Sequence, residues 1–166
     1  LADLFRKLQN LRLPERVQDL PETVEKIRES GHNMDLGRIR AAYETARMAH
    51  SGQKRKDGSP YVTHCVAAAE ITVEMGLDED SIIAALLHDV VEDTAVTLDE
   101  LKKAFGADVA VMVGGVTKLT NMTFSTKEEQ QAENIRKMLL AMNEDIRVIL
   151  IKLADRLHNM RTMQYQ

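Results

Sequence analysis

An all-α fold is expected for this 166-residue chain on three grounds. Apolar residues recur at helical spacing along most of its length. Aromatic residues make up only 4%, and no alternating run of β-branched residues extends beyond a few positions. The 8 glycines and 3 prolines fall mostly where helices would begin or end. With 44% hydrophobic and 29% charged residues, the chain can build a core without disulfides or a structural metal. The expected architecture is one helical bundle over residues 35–166, preceded by a helical N-terminal extension over residues 1–34.

The periodicity predicts helices over 3–12, 15–29, 35–50, 60–75, 79–90, 97–104, 106–118, 126–142 and 145–163. Several ends have a mechanism. Pro60 suits the first turn of a helix, where its missing N–H has no intrahelical acceptor in any case. Gly76 follows Glu74 and Met75 as a residue for the left-handed position just past a helix end. Thr97 with Glu100 three residues on forms a capping box. Ser125 or Thr126 with Glu128 or Glu129 gives a similar N-terminal signature. Val109, Val111, Val113 and Val116 are the best strand candidate, but the spacing around Ala110 and Met112 and the flanking helices favour a helix. Residues 51–59, with two glycines, two serines and a run of charge, read as a loop. A second loop is expected over 119–127.

Composition excludes several classes. A single cysteine, Cys65, rules out a disulfide framework and a cysteine-based zinc site, and fits a reducing compartment. No apolar run approaches the roughly 20 residues of a membrane span. Residues 1–13 carry Asp3, Arg6, Lys7 and Arg12, which is unlike a signal peptide. A net charge of −4 argues against nucleic-acid binding by the whole surface, while leaving room for a local basic patch that takes a small anion.

Three segments carry chemistry. In the first, His88, Asp89, Glu92 and Asp93 end an apolar helix that runs from Ile82 to Leu87. A helix turns about 100° per residue, so His88 and Glu92 would lie about 40° apart on one face. Asp89 and Asp93 would form the adjacent stripe. Three carboxylates in so short a span repel one another unless a cation offsets them, and they stand at the negative end of the helix dipole. The alternative is a solvated acidic helix end. The second segment is Pro60-Tyr61-Val62-Thr63-His64, where a lone histidine is ordinarily packed or capped. The third is 152–162, KLADRLHNMRT, where Asp155 and Asn159 share a helix face; an ion pair of Asp155 with Arg156 or Lys152 is the alternative.

A histidine, then a His-Asp pair, then a distant aspartate, all on expected helices, is the arrangement of HD-type metallohydrolases. The surrounding text narrows this. AHSGQKRKDGSPYVTH (49–64), AALLHDVVEDT (84–94), GGVTKL (114–119) and ENIRKMLLAMNEDIRVILIKLADRLHNMRTM (133–163) resemble the hydrolase domain of the RelA/SpoT proteins, which make and break guanosine tetra- and pentaphosphate. The resemblance covers roughly 35–164. The RKDG loop and the DRLHNMRT run are specific to this branch.

The resemblance implies an HD-domain bundle. It implies metal ligands at His64, His88, Asp89 and Asp155, and an acidic pair, Glu92 and Asp93, acting on the attacking water. It implies Arg55 packing on the guanine base with Lys56 beside it, and Asn159 and Thr162 lining the nucleoside pocket. The metal it points to is Mn²⁺, and a donor set of two imidazoles and two carboxylates with open positions suits manganese as well as zinc. The reaction it implies is hydrolysis of the substrate's 3′-pyrophosphate to GDP, or GTP, and pyrophosphate. Longer family members carry a synthetase domain after the hydrolase, so a fragment of such a protein in the cytoplasm is the expectation. The residue after His64 is usually proline in the family and is Cys65 here, which should shift the helix start slightly and serve as a small buried hydrophobe. His158 lies within reach of a metal, but the family pattern gives it no ligand role, and it is expected behind the ligands or in packing. His32 and His50 are expected at helix ends or on the surface. Two other readings remain: a non-catalytic nucleotide-binding regulatory domain, against which the intact ligand positions argue, and an HD nucleotidase acting on another nucleotide.

Overall fold

The computed structural model describes residue 27, residues 34–120 and residues 145–163. The expected helices over 3–12 and 126–142, the capping signature at 125–129 and His32 lie outside the described residues. Of the helix expected over 15–29, Ile27 is described; it is helical and 1% exposed.

Seven helices follow in the described residues: α1 Leu36–Ala49, α2 Val62–Glu74, α3 Glu79–Leu87, α4 Val90–Asp93, α5 Leu98–Phe105, α6 Ala107–Thr120 and α7 Ile146–Arg161. Among these residues there is no strand; one isolated antiparallel bridge joins Lys54 to Pro60. The valine-rich segment is therefore helical, within α6. No described helix is long and apolar enough to cross a membrane.

The core is organised around α3. Its residues Ile82, Ile83, Ala84, Ala85, Leu86 and Leu87 are all fully buried, on every side of the helix. A helix apolar all round must be enclosed, and α3 packs against α1, α2, α6 and α7. Leucine and isoleucine side chains enclosed in this way each contribute about 1.5–3 kcal/mol relative to exposure.

Side-chain caps fix where the helices start. Asp35 accepts from the N–H groups of Gly37 and Arg38, and its own N–H donates to Glu79 at 2.6 Å. Arg38 pairs with Glu79 and with Asp80 (3.0 Å) and donates to the carbonyl of Phe105 (2.9 Å), tying α1 to the start of α3 and the end of α5. The Thr97–Glu100 capping box is present at α5. Gly76 adopts φ 70°, and the Leu77 N–H reaches the Thr72 carbonyl at 3.1 Å, closing α2 as the glycine predicted. Gly115 of α6 faces Val148 of α7 so closely that a Cβ there would lie 2.8 Å from a valine methyl. Only a hydrogen at this position lets the two helices approach.

Two local expectations are corrected. Pro60 is not in the first turn of α2; it precedes the helix in the Lys54–Pro60 bridge, and its carbonyl accepts from the Thr63 N–H at 3.1 Å. The helix expected over 79–90 breaks at His88–Asp89, and a short separate turn, α4, carries Glu92 and Asp93. His50 ends α1, as expected, and is buried at 3% exposure. Cys65 is fully buried, as expected.

Candidate metal centre

Three elements converge on one buried point. His64 comes from the first turn of α2, His88 and Asp89 from the break after α3, and Asp155 from the middle of α7. One ligand atom each of His64, His88 and Asp155 lie within 4.8 Å of one another. His64 Nε2 is 3.3 Å from Asp155 Oδ1 and 3.6 Å from Asp89 Oδ2. His88 Nε2 is 3.1 Å from Asp89 Oδ2 and 3.9 Å from Asp155 Oδ1. His64 and His88 are 1% and 0% exposed, and Asp155 4%.

Each of these side chains is held from behind. Tyr61 Oη donates to Asp89 Oδ2 at 2.8 Å. Asn159 Nδ2 donates to Asp155 Oδ1 at 2.6 Å, and Lys152 Nζ to Asp155 Oδ2 at 2.6 Å. His88 Nδ1 lies 2.8 Å from the Ala85 carbonyl, which fixes its proton there. His88 Nε2 is then left facing the carboxylates, buried and with no hydrogen-bond partner. A buried imidazole nitrogen without a partner costs free energy unless something fills it. A divalent cation fits, because imidazole lone pairs and ionised carboxylates are its ordinary ligands.

The electrostatics agree with that use. Burial pushes Asp89 and Asp155 up, but the histidines beside them, with Tyr61 and Lys152, outweigh it and hold both carboxyls well below the usual range. Burial lowers His64 below its ordinary value, favouring the neutral imidazole. Burial also opposes charge on His88, and Asp89 outweighs it, raising that imidazole above its ordinary value. A cation in the cluster would reverse that last preference by competing for the same lone pair.

The break at His88–Asp89 sets the acidic pair apart. Glu92 and Asp93 project from α4, and Glu92 Oε2 is buried without a hydrogen-bond partner. Burial, then the neighbouring charges of Asp89 and Asp93, raise the Glu92 carboxyl. Asp93 is exposed. The loop before α2 reaches the same rim. It closes a tight turn in which Arg55 N–H donates to the Ser59 carbonyl (2.9 Å) and Asp57 accepts from the Ser59 N–H (2.9 Å). Its Arg55 guanidinium reaches Asn159 Oδ1 at 3.0 Å and Thr162 Oγ1 at 3.5 Å. Lys56, next in the loop, is exposed.

A family model described as HD domain matches residues 42–166. The chain belongs to the HD-domain family. This HD domain is 58% identical over 128 residues to the bifunctional (p)ppGpp synthase/hydrolase SpoT of Escherichia coli (strain K12), covering 77% of the chain and 18% of that protein. It is 52% identical over 134 residues to a GTP pyrophosphokinase of Myxococcus xanthus, covering 79% of the chain and 18% of that protein. Among solved structures, it resembles a metazoan ortholog of SpoT that hydrolyses ppGpp, with a TM-score of 0.64 and 35% identity, covering 78% of this chain and 72% of that one. The RelA/SpoT resemblance read from the sequence is thus borne out. The chain spans less than a fifth of the length of the curated relatives it matches, 18% in the Escherichia coli case.

The HD domain brings together His64, His88, Asp89 and Asp155, and joins Arg55 to Asn159 and Thr162. The ion pair weighed as an alternative for Asp155 also exists, with Lys152 rather than Arg156. Lys152 therefore sits behind a ligand-type carboxylate that faces the cluster with its other oxygen. Sequence reasoning gave no role to Tyr61 or Gln53. Tyr61 lies three residues before His64, a spacing that would have placed it on the same side. Gln53 Nε2 donates to the Asp93 carbonyl at 3.1 Å while its Oε1 meets His50 Nδ1 at 2.7 Å. Nothing local announces that brace.

Proposed function

We propose that this HD domain hydrolyses the 3′-pyrophosphate of guanosine 3′,5′-bis(diphosphate), releasing GDP and pyrophosphate, and GTP from the pentaphosphate. The observation that carries the reading is the convergence of His64, His88 and Asp155 on one buried point, with Asp89 beside both histidines and His88 Nε2 unpartnered. The names of the relatives, SpoT and a ppGpp-hydrolysing metazoan ortholog, support the substrate.

His64, His88, Asp89 and Asp155 would hold a divalent cation, with Mn²⁺ proposed from the mixed nitrogen and oxygen donors. Such a cation, when bound, lowers the pKa of a water and so supplies a nucleophile near neutral pH. The water's oxygen joins the phosphorus carried on ribose O3′, the P–O3′ bond breaks, and O3′ takes up a proton. Glu92 and Asp93 are the groups proposed to take the water's proton and return one. The raised carboxyl of Glu92 suits that exchange, because a base works best with a pKa drawn toward the working pH. Arg55 offers a planar cation that can stack on a purine, with Lys56 beside it. Asn159, about one turn beyond Asp155, and Thr162, which caps α7 about two turns beyond it, present an amide and a hydroxyl. The exposed Lys54 and Lys56 favour a polyanion over a neutral nucleoside.

We also propose residues 35–166 as the hydrolase domain, with 1–34 as its extension and a synthetase domain elsewhere in the full-length protein. The bifunctional name of the Escherichia coli relative and its greater length support this. A soluble nucleotide substrate supports a cytoplasmic location.

The test is incubation of the Mn²⁺-loaded chain with guanosine tetraphosphate, resolving products by anion exchange. GDP and pyrophosphate are expected, with GTP and GDP left intact because neither has a 3′-pyrophosphate. Asp89→Ala should lose both bound metal and turnover. Comparable hydrolysis of GTP would replace this reading with a general nucleotidase.

A further inference from the structure

Three of the four ligand-type side chains have an evident group holding them from behind: the Ala85 carbonyl for His88, Tyr61 for Asp89, and Asn159 with Lys152 for Asp155. The fourth, His64, is held by a residue to which the family pattern gives no ligand role and the proposed chemistry no task. His158 Nδ1 lies 2.7 Å from His64 Nδ1, with the rings tilted by 41° and their centroids 4.9 Å apart. Two ring nitrogens at that separation share one proton, so one donates and the other accepts.

The geometry decides which. His64 Nε2 is the nitrogen that faces Asp155 and Asp89. If that nitrogen is to offer a lone pair to a cation, the His64 proton must sit on Nδ1, and His158 Nδ1 must accept it. His158 engages the opposite side of the His64 ring from the convergence point, so it stands behind the cluster rather than in it. It is also three residues beyond Asp155 on α7, so one helix supplies both a ligand and the anchor for a ligand on α2.

We propose that His158 is a positioning residue for His64: its Nδ1 accepts the His64 Nδ1–H and holds His64 Nε2 toward Asp89 and Asp155. The assignment rests on the metal-centre reading above. Outer groups that orient metal-binding histidines characteristically tune metal affinity by 10- to 100-fold.

The experiment measures Mn²⁺ dissociation constants and stoichiometry by calorimetry, without nucleotide, for the unsubstituted 166-residue chain, His158→Leu, His158→Asn and His64→Ala. Circular dichroism of each variant checks that the helical content is retained. Asparagine carries an acceptor on the same carbon as the histidine Nδ1, whereas leucine fills the space without one. His158→Leu should bind Mn²⁺ about 10- to 100-fold more weakly at unchanged stoichiometry, and His158→Asn should restore most of the affinity. His64→Ala should lose the site. Unchanged affinity in His158→Leu would overturn the proposal, as would His158→Asn binding as weakly as His158→Leu, which would make the role one of packing. Lost stoichiometry in His158→Leu, matching His64→Ala, would make His158 a ligand and overturn it equally. An unsubstituted chain that binds no divalent cation would overturn the metal-centre reading itself, a result distinct from all of these.

Discussion

Arg55 and Asn159, 104 positions apart in the sequence, are joined by a 3.0 Å hydrogen bond from the guanidinium to the side-chain carbonyl. The same Asn159 amide donates through its nitrogen to Asp155 at 2.6 Å. One side chain thus spans the loop proposed to read the base and the carboxylate proposed to hold the metal. A lysine at position 55 keeps the charge but loses the planar fork and the stacking face. Arg55→Lys should therefore raise KM for guanosine tetraphosphate more than it lowers kcat, because the base contact is similar in ground and transition states. Steady-state kinetics check this; an unchanged KM would remove Arg55 from the nucleotide site.

Replacing Glu92 with Gln and Asp93 with Asn together should lower kcat by about 10²–10⁴. Metal content should survive, because both groups stand on α4 beyond the break that presents Asp89. Metal analysis and single-turnover rates on the double variant check the two halves of this expectation. Full turnover would return the pair to a solvated helix end.

At the contact between α6 and α7, Gly115→Ala would place a Cβ 2.8 and 2.9 Å from the two methyls of Val148. Valine is stiff about its one side-chain torsion and cannot swing both methyls away. The helices must separate instead, and overpacking of this kind costs about 1–3 kcal/mol. Urea unfolding should show the loss. Gly115→Ala paired with Val148→Ala should recover part of it.

The start of α7 is tied to the start of α3 by Arg147, which lies 2.7 Å from Asp145 and 2.5 Å from Asp78. The Arg147 hydrogen bond holds the Asp145 carboxyl below its ordinary value. Burial pushes Asp78 up, and hydrogen bonds from Ser81, together with Arg147, outweigh it. Carboxyls lowered in the folded state contribute stability above the unfolded value of about 4 and lose it as pH falls through the folded values. Acid should therefore destabilise the unsubstituted chain below about pH 4 more than it destabilises Arg147→Gln. With Asp78 half exposed, solvent screening keeps the difference to within about 1 kcal/mol. Melting temperatures compared at pH 3 and pH 6 check the sign.

Much of the candidate metal centre was legible because its chemistry is written in residue types. His64, the His88-Asp89 pair and Asp155 stand out against apolar helices, and the structure brings them together. The helices themselves follow from local physics: Thr97 with Glu100 and Gly76 past α2 act on atoms within a turn of themselves. The break at His88–Asp89 was not legible. The propensities of AALLHDVVED run on without a helix breaker, and the backbone at His88 (φ −59°, ψ −36°) and Asp89 (φ −94°, ψ −9°) stays in the right-handed helical region, so no residue type announces the interruption. His50 was expected at a helix end or on the surface, and its burial depends on Tyr61 stacking upon it, with ring centroids 4.6 Å apart.

The sequence by itself determined the helical class, most helix ends, and which residue types are candidates to bind a cation, because each depends on residue type and short spacing. Only the tertiary structure decided how those side chains are oriented: that His158 meets His64 through its Nδ1, that Tyr61 braces Asp89, and that Asn159 links Arg55 to Asp155. Orientation is set by hydrogen bonds of less than about 3.5 Å, and those that join groups far apart in the sequence form only in the packed chain. Such bonds exist only after α3 has been buried and α2 and α7 have been packed against it.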